Sequence, residues 1–203
     1  ETPKADVWKW GNSVHGTCWR TTNDITDTWS SVRAIALDQD KSAPYAKPGN
    51  WNDPDMLVVG HVGWGNPHPS KLKPDEQYLH ISLWSLFSAP LLIGCDMEKL
   101  DDFTLNLLTN DEVIDVNQDP LGKQATCLQT IGDLRIYVKE LEDGSRAVGF
   151  CNFGLDTVDL PYKDFVKLGI NGKNVIRDLW RQQDIAKLDT QTEDLKVKVP
   201  AHG

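Results

Sequence analysis

The chain has 203 residues, 39% hydrophobic and 25% charged, an ordinary globular composition that excludes intrinsic disorder and supplies enough apolar mass for a core. Thirty acidic against 21 basic residues leave a formal charge of -9, the wrong sign for gripping nucleic acid or anionic lipid by charge. The longest mostly apolar stretch, residues 82–95, is broken by Ser85, Ser88 and Pro90. It falls short of the roughly 20 residues of a membrane span, so neither nucleic acid nor membrane is expected as a partner.

In chain order, residues 1–4 carry no basic start or apolar run, so any signal peptide has been removed or lies outside the sequence. Residues 17–21 are the first strand candidate. Residues 24–36 then set Ile25, Trp29, Val32 and Ala36 on one face of a helix, with Thr26 or Asp27 available as its cap. Residues 55–59 are the second strand candidate. Pro74, then Asp75 and Glu76 where the helix dipole favours anions, then Leu79, Leu83, Leu86 and Phe87 predict a helix over 74–89, which Pro90 ends. Leu91-Leu92-Ile93-Gly94-Cys95 follows as a continuous apolar run suited to a strand buried on both faces, and residues 102–108 read as helix. Strands each followed by a helix spell a β/α repeat and a parallel sheet. No GxGxxG is present, so a dinucleotide site is disfavoured.

After about Gly122 the period changes to two. Leu134, Ile136 and Val138 alternate with Arg135, Tyr137 and Lys139; Glu142-Asp143-Gly144-Ser145 reads as a turn; residues 146–152 and 195–199 are further strands. Seven of the eight tryptophans lie in residues 1–84, a second sign that the two ends differ. The expected organisation is α/β followed by all-β, with residues 1–121 as the first unit and 122–203 as the second. Cys18, Cys95, Cys127 and Cys151 are too widely spaced for a CxxC metal site and read as buried free thiols. Cys127 and Cys151 are the pair most worth testing for a bridge.

Two clusters carry possible chemistry. Cys18-Trp19-Arg20-Thr21-Thr22-Asn23-Asp24 places an arginine and a carboxylate at the C-terminal end of a parallel strand, and Trp51-Asn52-Asp53-Pro54-Asp55-Met56 brings two more carboxylates. Loops at that end of β/α strands build active faces, and carboxylates with an orienting arginine and apolar ring platforms suit glycoside hydrolysis. Structural alternatives stand beside these readings. Asp24 equally caps the next helix, Asp53-Pro54-Asp55 equally forms a turn, and Trp19 and Trp29 read as core before sugar platforms. Trp64, in the Gly/Pro-rich loop with His61 and His68, is a surface aromatic or a subsite platform with nothing to favour either. His15, His61, His68, His80 and His202 have no paired-ligand spacing, so no metal is expected. Asp101-Asp102 and Asp111-Glu112 read as helix caps and solvated faces. No GxSxG elbow supports acyl transfer.

Four blocks, residues 19–25, 51–57, 89–96 (Ala-Pro-Leu-Leu-Ile-Gly-Cys-Asp) and 116–122 (Val-Asn-Gln-Asp-Pro-Leu-Gly), resemble in order and spacing the α-galactosidases of glycoside hydrolase family 27. The resemblance continues into the antiparallel region and implies the C-terminal part of a (β/α)8 TIM barrel, strands six to eight, followed by an antiparallel β-sandwich that lacks its last strand. It implies retaining hydrolysis of terminal α-galactosides, with no cofactor and no metal. By motif position Asp24 is the general acid/base, Arg20 holds sugar hydroxyls, Asp55 and Met56 line the pocket, and Trp19 is counted with the substrate-binding group. Asp53 fixes the turn. Asn23 stands where many relatives have glycine, and since asparagine tolerates left-handed backbone the turn is expected to survive. The nucleophile and the loop that selects the sugar's 2-substituent belong to earlier barrel strands, so the chain is expected to be part of a longer polypeptide, inactive alone, its partner the N-terminal half of the barrel. A non-catalytic carbohydrate-binding or assembly fragment is the alternative. The resemblance also implies an extracytoplasmic setting, secreted, periplasmic or lysosomal.

Overall fold

In the computed structural model, residues 3–63 and 65–203 are described; Trp64, left open above, lies outside them. A short helix α1 (Val7–Trp10) leads into strand β1 (Cys18–Arg20), helix α2 (Trp29–Leu37) and strand β2 (Trp51–Asp53). β1 and β2 pair in parallel, Cys18 opposite Trp51 through Arg20 opposite Asp53. The ladder then breaks, because Asp55 takes a left-handed backbone with φ 86° that an extended strand does not allow. The expected strand over 55–59 is thereby reduced to one parallel bridge, Leu57 with Ile93, closed by Leu57 N–H donating to Leu92 O and Gly94 N–H donating to Leu57 O. The expected strand over 91–95 is likewise only that bridge.

A two-residue hairpin, β3 (His61–Val62) with β4 (His68–Pro69), precedes α3 (Pro74–Leu86), and α4 (Asp102–Leu108) and α5 (Asp111–Asn117) complete this region. Pro74 is the first residue of α3, and Glu76 accepts from the Lys73 N–H at 2.8 Å. The helix stops three residues before the predicted end, where Ser88 turns to φ 51°. Thr28, rather than Thr26, Asp27 or Asp24, caps α2 by accepting from the Ser31 N–H. Asp101 caps α4 and Asn110 caps α5, with Asp102, Asp111 and Glu112 in first turns.

The rest is antiparallel. β5 (Thr126–Ile131), β6 (Leu134–Glu140) and β7 (Arg146–Asn152) form one sheet; β8 (Val158–Tyr162) pairs with β11 (Leu195–Val199), and β9 (Lys173–Asp178) with β10 (Gln183–Asp189). Leu134, Ile136 and Val138 on one face of β6 pack with Tyr162, Phe165, Leu168, Leu188 and Val197. Tyr137 faces the other way, into a core shared with α2, α3 and Leu57–Val59. Lys139, on the same face of β6 as Tyr137, is 1% exposed and donates to Ser88 Oγ. Burial pushes its ammonium pKa down to about 8, against the pull of Asp119. Trp180 Nε1 donates to Ser82 of α3 at 2.9 Å, and His202, stacked on Trp29 at 4.3 Å, reaches Glu76 at 2.7 Å. The sandwich and the β/α region are thus bound by apolar packing and specific polar contacts.

None of the four cysteines is in a disulfide; only Cys151 is buried, and Cys18 is exposed. Cys127 and Cys151 sit on β5 and β7 with β6 between them, Cys127 opposite Tyr137 and Cys151 opposite Arg135, so two strand spacings and a two-residue offset put them more than about 9 Å apart. That exceeds the Cα reach of a disulfide, about 7 Å, so the pair singled out above forms no bridge.

Candidate active site

The backbone turn at Asp53-Pro54-Asp55 organises the site. Asp53 accepts from the Asp55 N–H at 2.8 Å, the turn-fixing role expected of it. The Trp84 indole of α3 donates to Asp55 O at 2.6 Å and secures the left-handed residue from behind. A non-glycine residue in this conformation costs on the order of 1–3 kcal/mol, offset here because Asp55 is aimed into a buried ion pair. Its Oδ2 lies 2.7 Å from Arg20 Nη2 and accepts from the Ile25 N–H at 2.7 Å, while Oδ1 accepts from Met56 N–H at 2.8 Å. Asn23 is absent from the positive-φ residues; the left-handed position needed at this site falls at Asp55 instead.

Arg20 is the hub. The same Nη2 donates to Asp24 Oδ1 at 3.2 Å and to Thr22 O at 3.1 Å, and Arg20 Nε is buried with no partner among the described residues. Asp24 is the opposite of Asp55: its side chain is 81% exposed, against 6% for Asp55. The loop 21–28 that carries Asp24 is held just beyond it by Asp55 on the Ile25 amide and, further on, by Asp27. The Asp27 carboxylate accepts from the Lys71 N–H at 3.0 Å and faces His68 Nε2 at 3.0 Å. Burial would raise the Asp27 pKa, but the Lys71 amide and His68 outweigh it and hold the carboxyl below its ordinary value.

Arg20, Asp24, Asp55 and Met56 line one cleft of about 410 Å³, with Asp27 and His68 further along its wall. Gly94 keeps the floor open, since a Cβ there would meet Met56 Sδ at 2.5 Å. Asp24 also borders a more open depression over Thr22 and Asn23, so it stands on a ridge accessible from two sides. Four of the five expected site residues therefore converge. Trp19 does not: it is buried beside Val7 and Trp8, with its indole donating to Asn52 at 2.9 Å. Strand alternation explains this, because Arg20 points to the cleft and its neighbour must point away.

Sequence spacing missed Asp27, His68 and Trp84. His68 was noticed only as a loop histidine, and its partner lies 41 residues away. His80, another of the histidines, is a core residue: burial pushes its pKa down to about 3, and Nε2 accepts from the Val58 N–H. No group of three or more His, Cys, Asp or Glu among the described residues is arranged to hold a metal ion.

Comparison with known proteins converges on one family. Residues 9–119 match the family described as Alpha galactosidase A, and residues 131–203 match the Alpha galactosidase C-terminal beta sandwich domain. Alpha-galactosidase 2 of Arabidopsis thaliana is 38% identical over 197 residues, covering 96% of this chain and 47% of that protein. A solved candidate α-galactosidase/melibiase of Bacteroides fragilis superposes with a TM-score of 0.90 at 31% identity, covering 100% of this chain and 44% of the other. A family 27 β-L-arabinopyranosidase of Geobacillus stearothermophilus gives 0.82 at 27%, covering 92% and 43%. The chain spans about half the length of the relatives it matches. With its parallel β/α units forming part of a barrel and its antiparallel sandwich packed against them, the chain belongs to the α-galactosidase family of glycosidases, glycoside hydrolase family 27.

Proposed function

We propose that this chain supplies the general acid/base to a retaining glycoside hydrolase that removes terminal α-linked galactose from oligosaccharides or glycoconjugates. The observation that carries the reading is the Asp24–Arg20–Asp55 relay: an accessible carboxyl on a cleft rim, tied to an arginine that a buried carboxylate anchors. In the first step the Asp24 carboxylic acid protonates the glycosidic oxygen while a second carboxylate attacks the anomeric carbon. In the second, the Asp24 carboxylate takes a proton from the water that releases the sugar. Retention requires the two carboxyls about 5 to 5.5 Å apart. Asp55 is engaged by Arg20 and two backbone amides, so the nucleophile is assigned to the part of the barrel that relatives carry and this chain does not span.

Met56, beside Arg20 on the cleft wall, offers an apolar face for the ring. Galactose is chosen over arabinopyranose because the matched family and the Arabidopsis relative carry the galactosidase name. The test is Asp24→Asn in the polypeptide that includes the upstream barrel. Hydrolysis of an alkyl α-galactoside should fall by about 10²- to 10⁴-fold, with less loss in the first step for an activated aryl leaving group, which needs little protonation. Azide should restore turnover of the activated substrate as a galactosyl azide of retained configuration. Turnover near wild type would remove the assignment, and preference for an aryl β-L-arabinopyranoside would replace the sugar.

A further inference from the structure

His68 sits on β4, in the hairpin that walls the cleft, and both ring nitrogens face acceptors. Nε2 is 3.0 Å from Asp27 Oδ2, and Nδ1 is 2.9 Å from Asn66 O. A neutral imidazole has one N–H and satisfies one of these contacts; the imidazolium, with two, satisfies both. The turn is closed tightly on the ring: Gly63 has φ 110°, and a Cβ there would meet Asn66 O at 2.6 Å and His68 Nδ1 at 2.9 Å. The charged groups about the ring are the Asp27 carboxylate and, opposing it, the Lys71 ammonium; Arg20, Asp24 and Asp55 line the same cleft.

On the other side of this contact, Asp27 belongs to loop 21–28, three residues after Asp24. We propose that His68 is a positioning residue whose imidazolium fastens the Asp24-bearing loop to the β3–β4 hairpin, and whose deprotonation weakens that fastening because the neutral ring donates to Asp27 or to Asn66 but not to both. The proposal rests on Asp24 as the acid/base for its catalytic consequence, while the latch itself stands on the geometry of the ring. The balance of groups agrees with it: the Asn66 carbonyl first, and then Asp27, raise the His68 pKa above its ordinary value of 6.5, against desolvation and Lys71.

Two measurements test this. The first is an NMR titration of the His68 ring in the wild-type chain and in Asp27→Asn. The ring should titrate above the ordinary value in the wild type and fall toward it in the variant; titration at or below the ordinary value, unmoved by the variant, overturns the latch. The second is the pH dependence of kcat and KM in the polypeptide that includes the upstream barrel. His68→Ala should lower kcat/KM most below the pH at which the ring titrates, and the gap to wild type should narrow above it. His68→Gln, whose amide can donate to Asp27 at every pH, should rescue the loss and carry activity further to the alkaline side than wild type. Superimposable wild-type and His68→Gln profiles overturn the proposal. The failures are separable: full activity of Asp24→Asn removes the acid/base reading while the ring titration still decides the latch. An inactive Asp24→Asn with an ordinary His68 titration removes the latch alone.

Discussion

The loop after β1 and the central strand β6 solve opposite problems. β6 is held by a continuous ladder to β7 and a singly bulged one to β5 and buries both faces, Leu134 and Ile136 in the sandwich and Tyr137 against the helices. Position there is set by regular hydrogen bonding and by volume. The loop bearing Asp24 has no ladder; it is positioned by a few charged and polar side chains, Arg20, Asp55, Asp27 and His68. A packed strand tolerates the loss of one contact because its neighbours still define it. A loop held by four side chains loses its geometry with any one of them, which makes it adjustable and places the chemistry where solvent and substrate reach.

Substitutions can break or sharpen this contrast. The largest effect is expected at Asp55: Asp55→Ala leaves the Arg20 guanidinium buried without its closest partner and should cost about 3–5 kcal/mol, measured by chemical unfolding, with loss of hydrolysis. Asp55→Gly should be less damaging by roughly 1 kcal/mol because glycine accepts the left-handed backbone. Equal losses would mean that the strain carries no weight.

In β6 the test is Lys139. Its pKa is lowered by burial from 10.5 to about 8, so between those values the unfolded chain binds more protons than the folded one. Stability should therefore rise with pH across that window, by up to about 3 kcal/mol, and the penalty should be fully present below it. Lys139→Met, close in shape and apolar, should remove that rise and be neutral or stabilising at pH 7. A pH profile unchanged by the substitution would place the charge in water. The smallest effect is expected in β7, where a Cβ on Gly149 would meet Leu86 Cδ1 at 2.6 Å. Gly149→Ala should cost about 1–3 kcal/mol by overpacking, read as a lowered melting temperature, with the cleft intact because the contact lies between β7 and α3.

Much of this is legible in the sequence. Pro74 with Asp75 and Glu76 announced α3, the alternation from Leu134 announced β6, and the clusters around Asp24 and Asp55 announced the cleft. Local signals of this kind rest on periodicity and on short-range backbone chemistry, which a sequence displays directly. Trp19, read from its residue type as core, is core; only the family resemblance counted it with the substrate-binding group, and since neighbours on a strand point to opposite faces it cannot share the cleft with Arg20. The strand over 55–59 went wrong because an apolar run does not reveal that Asp55 is turned left-handed by its partners.

The sequence alone thus determined α2, α3, β6, β7 and β11 in outline, the change from β/α to antiparallel order, and the chemical character of the cleft, since each follows from residue types and spacing within a few positions. Tertiary structure alone decided which groups act together. That Asp55 and Asp24 share Arg20, that Lys139 is buried, and that His68 meets Asp27 across 41 positions are consequences of chain crossing and packing. Burial and pairing energies belong to neighbours in space, and sequence separation carries no record of them.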